Sequence, residues 1–201
     1  MSNLTTVDAV KRSLAIGVNG TLNTSDDDLL LTFVGQASDM ITSYCRRNFY
    51  VTYGTLYYDS NYPHTSDNKL FFTEDWLQVD YVWNGANGTL DPANYRLLPT
   101  HYSPKYALEL LPRSQTSWMV GSDGFNQNAI GVIGSFGYCD DNTRPQAITF
   151  AATKLASWLY MNRDNDGTVV QMADGSLAIP SNAPSVVFTV LDRYVRVEAQ
   201  Q

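Results

Sequence analysis

The sequence predicts an α+β fold, a helical core of about four helices with an inserted antiparallel β-rich region. Three observations predict it. Apolar residues recur at helical spacing for about five turns over residues 26–46. After Asn48 that pattern breaks into short aromatic and β-branched segments punctuated by Pro, Gly, Asn and Asp, continuing to residue 138. Helical spacing then resumes behind Pro145.

The chain has 201 residues, 44% of them hydrophobic, with 4 Trp, 13 Tyr and 8 Phe, which is enough to bury a real core. With 13 Lys+Arg against 20 Asp+Glu, its net charge of −7 argues against general duplex binding. No run approaches the roughly 18 to 20 apolar residues that span a bilayer, so no membrane partner is expected. The N-terminus lacks the basic and apolar regions of a signal peptide, and the chain reads as soluble and not secreted. Cys45 and Cys139 form no CxxC pair and are expected to be free thiols.

Thr6 is placed to cap a first helix over residues 6–16, with Val7, Val10 and Leu14 on one face and Gly17 as its stop. In the second helix, 26–46, Leu29, Leu30, Phe33, Val34, Ala37, Met40, Ile41, Tyr44 and Cys45 form the apolar stripe. Asp26, Asp27 and Asp28 stand at its positive end as capping residues and Arg46 and Arg47 at its negative end, which is where the helix dipole favours those charges. Strands are expected at 50–59, 69–73, 77–83, 95–98, 107–111 and 129–138. Asn84-Gly85 and Asn87-Gly88 tolerate positive φ and mark a hairpin tip, and the connections 60–68 and 114–128 are expected on the surface.

The third helix, 145–163, carries Ile148, Ala151, Ala152, Leu155 and Leu159 on one stripe. Phe150, Trp158, Tyr160 and Met161 widen that stripe nearly around the helix and are candidate inter-subunit residues. A polar connection leads to a last helix begun by Pro184, with Val187, Val190, Leu191, Tyr194 and Val195 on one face. Residues 168–201 thus form a linker and C-terminal helix set apart from a domain spanning 1–167. That helix either folds back onto the domain or extends as an arm that buries its face against another molecule.

Chemistry is sparse. His64 and His101 fall in polar loop sequence beside no recognised nucleophile. Gly131, Gly134 and Gly137 match neither a Walker loop nor a dinucleotide loop and read as strand bulges or close packing. Asn162, Asp164, Asp166 and Gly167 mimic the front of a calcium loop, but Ala173 stands where a bidentate Glu is required. The pairs Glu74 with Asp75 and Asp140 with Asp141 are the only support for a small hydrolase, and both read as solvent-facing turns. No catalytic residue, metal ligand or cofactor is therefore assigned. Tyr53, Tyr57, Tyr58 and Tyr62 lack the basic groove of a base-stacking platform and read as strand packing or a subunit interface. Trp76, Trp83 and Trp118 read as exposed and support an alternative, a carbohydrate- or ligand-binding module.

The order of elements and several phrases resemble the head-to-tail connector family of tailed phages, also called adaptor or head-completion proteins. An acidic start, Asp26-Asp27-Asp28-Leu29-Leu30, opens a helix that closes on Ser43-Tyr44-Cys45-Arg46-Arg47-Asn48-Phe49. Tyr57-Tyr58-Asp59, Asp91-Pro92-Ala93-Asn94-Tyr95-Arg96-Leu97 and Leu108-Glu109-Leu110-Leu111-Pro112 follow in the family's order. An apolar strand ending in Gly137-Tyr138, the proline-started helix and the exit Asn162-Arg163-Asp164 complete the likeness, which spans about residues 25–167. The resemblance implies a homo-oligomeric ring of about twelve copies with heterologous interfaces. It also implies docking on the portal protein and a stopper or tail-completion protein below. Genomic DNA would pass through the channel without specific binding. The implied location is the virion neck, after assembly in the host cytoplasm. The last helix becomes the candidate portal contact.

Overall fold

The computed structural model describes residues 3–15, 26–140, 142–164, 170–171 and 175–196. Ile16 and Gly17, Asp141, and the calcium-loop positions Asp166, Gly167 and Ala173 lie outside them. The chain divides into two compact units, one from Met1–Arg47 with Thr143–Val197, the other from Asn48–Asn142. The β-rich region is thus an insertion between the second and third helices. The described C-terminal segment belongs to the helical unit.

The helical unit holds α1 (Val7–Ala15), α2 (Asp27–Cys45), α3 (Gln146–Met161) and α4 (Ser185–Leu191), with a small hairpin of β7 (Val170–Gln171) and β8 (Leu177–Ala178). Thr6 caps α1 as its sequence position suggests, its Oγ1 accepting from the Ala9 N–H at 3.2 Å. The segment before it is pinned on both sides. The Leu4 N–H donates to Ser38 Oγ on α2, and Thr5 shares a 2.6 Å hydrogen bond with Thr153 on α3. On α2 the buried residues Leu30, Val34, Ala37, Ser38, Met40, Ile41 and Cys45 follow the i, i+3, i+4 spacing of one face. Asp26 does not cap α2 through its side chain, so the acidic triplet acts there through the dipole and through an ion pair of Asp27 with Lys11. Arg46 closes α2 in the left-handed conformation, φ 50°, its N–H returning to Ser43 O. On α3, Ala151, Ala152 and Ala156 are buried with Ile148, Leu155 and Leu159, small residues that let neighbouring helices approach closely.

The inserted unit is built on an antiparallel sheet, strand order β1-β6-β3-β5-β4, from β1 (Thr52–Tyr58), β3 (Lys69–Asn84), β4 (Tyr95–Leu98), β5 (Lys105–Leu110) and β6 (Ile130–Phe136). A short β2 (Thr65–Ser66) pairs with the start of β3. The two strands expected at 69–73 and 77–83 are one 16-residue strand, whose first part pairs with β5 and whose second part pairs with β6. Register shifts near Trp76 and Val79 let it serve both partners. Glu74 and Asp75 therefore lie inside a strand, not in a turn. Asp75 is buried and its carbonyl accepts from the Gly137 N–H at 2.6 Å, while the Glu74 carboxylate accepts from Asn48 Nδ2.

The core of this unit gathers Tyr58, Leu70, Phe72, Trp76, Val82, Leu90, Leu108, Leu110, Ile130 and Val132. Trp76, expected on the surface, is fully buried and donates its indole N–H to the Tyr58 hydroxyl at 3.1 Å. Gly134 explains the glycine series. At φ +154° a Cβ there would stand 2.3 Å from the Gln78 carbonyl oxygen, so only glycine fits. The hairpin tip forms as expected at Gly85–Asn87, with the Asn84 N–H donating to Gly88 O. Buried Asn84 also ties down the 114–128 connection by donating to Ser117 O and accepting from the Met119 N–H.

Candidate assembly surfaces

The last segment folds back within the helical unit. Val187 and Leu191, spaced i, i+4 on α4, are fully buried where it packs on α3 and α2. The α2 C-terminus holds the same segment along its length. Phe188 meets Tyr44 edge-on at 5.8 Å, the Tyr44 hydroxyl donates to Asp192 at 2.6 Å, and Arg47 Nε donates to Tyr194 O at 2.8 Å. The Arg196 N–H then donates to Cys45 O. The helix ends at Leu191, so Tyr194, in the turn beyond it, and Val195, past that turn, do not extend its face. Of the five residues assigned to the portal, Val187 and Leu191 are thus occupied inside the subunit, while Val190, Tyr194 and Val195 are half-buried. Val186, which the periodicity did not single out, is exposed.

This junction shifts two titrations. The hydrogen bond to Asp192, with burial, pushes the Tyr44 phenol up to about 12. Burial pushes the Cys45 thiol up to about 12, against the opposing charge of Arg47. Cys45 is a core thiol whose S–H points to Leu191 O, and Cys139 is likewise a buried thiol outside any disulfide, donating to Phe49 O.

The four inter-subunit candidates on α3 divide in two. Phe150, Trp158 and Met161 share a stripe at i, i+8 and i+11, with Lys154 between them, its ammonium 5.8 Å from the Phe150 ring centroid. Phe150 and Met161 are exposed and Trp158 is half-buried. Tyr160 lies off this stripe and is occupied at home. It packs edge-on against Phe33 of α2, donates weakly to Asp26, and carries the Arg163 guanidinium 4.5 Å above its ring.

The inserted unit presents a surface that sequence reasoning found only in part. On the solvent side of the sheet, Tyr53 and Tyr57 of β1 and Tyr81 and Trp83 of β3 are 64%, 62%, 59% and 52% exposed. The register sets Tyr57, Gly131 and Trp83 in one row across β1, β6 and β3, with Thr55, Ile133 and Tyr81 in the next. Gly131 has no side chain, and the Tyr57 ring lies 3.4 Å from where its Cβ would be. Tyr53 reaches across the sheet to Asp80, and that hydrogen bond raises its phenol above the ordinary value. Tyr58, the next residue of β1 after Tyr57, points the other way into the core. Alternation along 81–84 was the signal for Tyr81.

Among the described residues, side chains suited to catalysis are not seen to converge. His64 Nδ1 accepts the Asp59 backbone N–H at 3.2 Å and its ring stands edge-on to Tyr58, a packing role. His101 is exposed on a loop. Among the described residues no group of three or more His, Cys, Asp or Glu side chains is arranged to hold a metal ion, and no helix is long and apolar enough to cross a membrane.

No family model matches the chain, and no curated protein matches its sequence. Solved structures do match its fold. A chain in the neck of an empty gene transfer agent particle, computed with C6 symmetry, superposes with a TM-score of 0.65 at 16% identity, covering 96% of this chain and 90% of its own. A chain in the virion of a native gene transfer agent particle gives 0.60 at 18% identity with the same coverages. A third, in the neck of a native particle computed with C12 symmetry, gives 0.53 at 16% identity over 99% of this chain and 96% of its own. At these identities the likeness establishes a common fold.

Proposed function

We propose that this chain is a structural head-to-tail connector of a phage-like particle, a ring subunit that docks on the portal and prolongs the DNA channel toward the stopper or tail. The observation that carries the reading is the shared fold over 96% of the chain with a component of a particle neck, at a TM-score of 0.65. It agrees with the ordered phrases of the sequence between residues 25 and 167. The net charge of −7 suits a conduit, since an acidic subunit disfavours the phosphate contacts that would grip a passing genome. Neighbouring copies meet through the exposed α3 stripe of Phe150, Trp158 and Met161. The portal contact falls to what the subunit leaves uncovered at its C-terminal end, Val186 with the half-buried Val190, Tyr194 and Val195. No substrate or cofactor enters this role. The ligand-binding alternative loses Trp76 to the core and finds Trp118 half-buried against that core, which leaves it Trp83.

Mass photometry and negative-stain microscopy of the purified protein, alone and mixed with the portal of the same particle, test the proposal. Closed rings, and their capture by the portal, are the expected outcome. Monomers at every concentration that ignore the portal would refute it.

A further inference from the structure

We infer that the open edge of β1, together with the aromatic face beside it, is a seam between copies of this chain, covered by the β4 edge of the next copy. The inference rests on the ring reading above and adds to it the surface in the inserted unit that closes the ring.

The sheet has two ends. Among the described residues β1 pairs only with β6 and β4 only with β5, so each leaves one side of its backbone without a strand partner there. Exposed edges are normally guarded by lysine, proline or inward charges, because an unguarded edge recruits another strand. β1 has no such guard. It reads Thr52-Tyr53-Gly54-Thr55-Leu56-Tyr57-Tyr58, without a charge or a proline over seven residues. On β4 the single charge, Arg96, is already engaged by Glu109 of the adjacent strand. Neither edge therefore repels the other, and both belong to every copy of the chain.

The area agrees. Four aromatic side chains exposed by more than half share the solvent face of this end of the sheet, Tyr53 and Tyr57 on β1 and Tyr81 and Trp83 on β3 across the intervening β6. At about 150–250 Å² for a fully buried aromatic they offer on the order of 400–500 Å² of largely apolar surface. That is about half of the roughly 800 Å² each partner contributes to a stable interface, and the strand edge with its flanks supplies the rest.

The topology also fixes the geometry of the seam. Every ladder between β1 and β4 is antiparallel, and β1 and β4 are the first and fifth strands of the path, so they run in the same direction. A head-to-tail repeat that keeps neighbours aligned makes β1 and the next β4 a parallel pair. A two-fold pairing of β1 with its own copy would be antiparallel and would stop at a dimer.

Engineered thiols separate these cases, since Cys45 and Cys139 are buried and do not compete. Thr55 is exposed on the solvent face of β1, and Arg96 is the exposed residue of β4. The doubly substituted T55C/R96C protein, treated with a short bismaleimide that tolerates a one-residue error of register, is expected to give a ladder beyond the dimer. Neither single variant should do so. Thr55→Lys, a guard at an already exposed site, is expected to weaken ring formation at least tenfold without changing the circular dichroism spectrum. Dimers from T55C alone would replace the seam by a two-fold contact and overturn the inference. Rings that persist in Thr55→Lys without a cross-linked ladder would overturn it while leaving the ring reading intact. A wild-type chain that never associates would sink both.

Discussion

Replacing Leu191 by alanine tests whether the last helix is part of the subunit or an arm. The side chain is fully buried on α4. Truncation removes three carbons from the helical core, worth about 2.5 kcal/mol at ~0.8 kcal/mol per buried methylene. The cavity left behind raises the cost to about 3–5 kcal/mol. For a chain of this size each kcal/mol moves the unfolding midpoint by roughly 2–4 °C, so Leu191→Ala should lower it by on the order of 10 °C. The internal control is Val186→Ala on the same helix, where the side chain is 41% exposed and the expected change is within about 0.5 kcal/mol. Thermal and urea unfolding followed at 222 nm read out the helical unit. If Leu191→Ala is as harmless as Val186→Ala in the isolated protein, the helix is not packed as described and the argument from burial fails.

Gly134→Ala should cost at least about 2 kcal/mol or prevent folding, because the new Cβ would meet the Gln78 carbonyl oxygen at 2.3 Å. In contrast, Gly35→Ala on α2, where nothing lies within 4 Å, should stabilise by about 0.5–1 kcal/mol, and denaturant titration compares the two. Stability should fall in alkali. Tyr44 and Cys45 each titrate at about 12 in the folded chain against ordinary values of 10.0 and 9.0, so the unfolded chain releases these protons first. Their contribution is complete below about pH 9 and is lost as pH rises through about 12. A Tyr44→Phe/Cys45→Ala double variant with an undiminished pH slope would contradict this. Both thiols should resist a disulfide reagent in the native protein and react after denaturation, read by absorbance at neutral pH.

Local pattern carried the helices. The apolar stripe of α2 and the proline before α3 lie within a turn or two of the residues they specify, so spacing alone places them. It could not follow β3 through Glu74 and Asp75, because adjacent acids ordinarily mark a turn. Here the bulged ladder, with Asp75 O accepting from Gly137, carries the strand past them. Strand order was also out of reach, since β1 pairs with a strand more than seventy residues away and no local feature names that partner. Periodicity likewise drew the face of Val187 and Leu191 without saying what would cover it. The answer lay in Tyr44, Cys45 and Arg47, nearly 150 residues earlier. The aromatic face was legible in pieces: Tyr53, Tyr57 and Trp83 stood out separately, and only the register set them on one face and added Tyr81.

The inserted unit begins and ends at one place, since the Tyr138 N–H donates to Asn48 O at 2.6 Å and the Cys139 thiol to Phe49 O. That closure bears on the order of folding during synthesis. The helices α1 and α2 leave the ribosome long before α3 and α4, and uniting them across an unfolded insert would mean closing a long loop at full entropic cost. An insert that collapses first, in vectorial order, removes most of that cost and delivers the returning chain beside the helices still waiting for it.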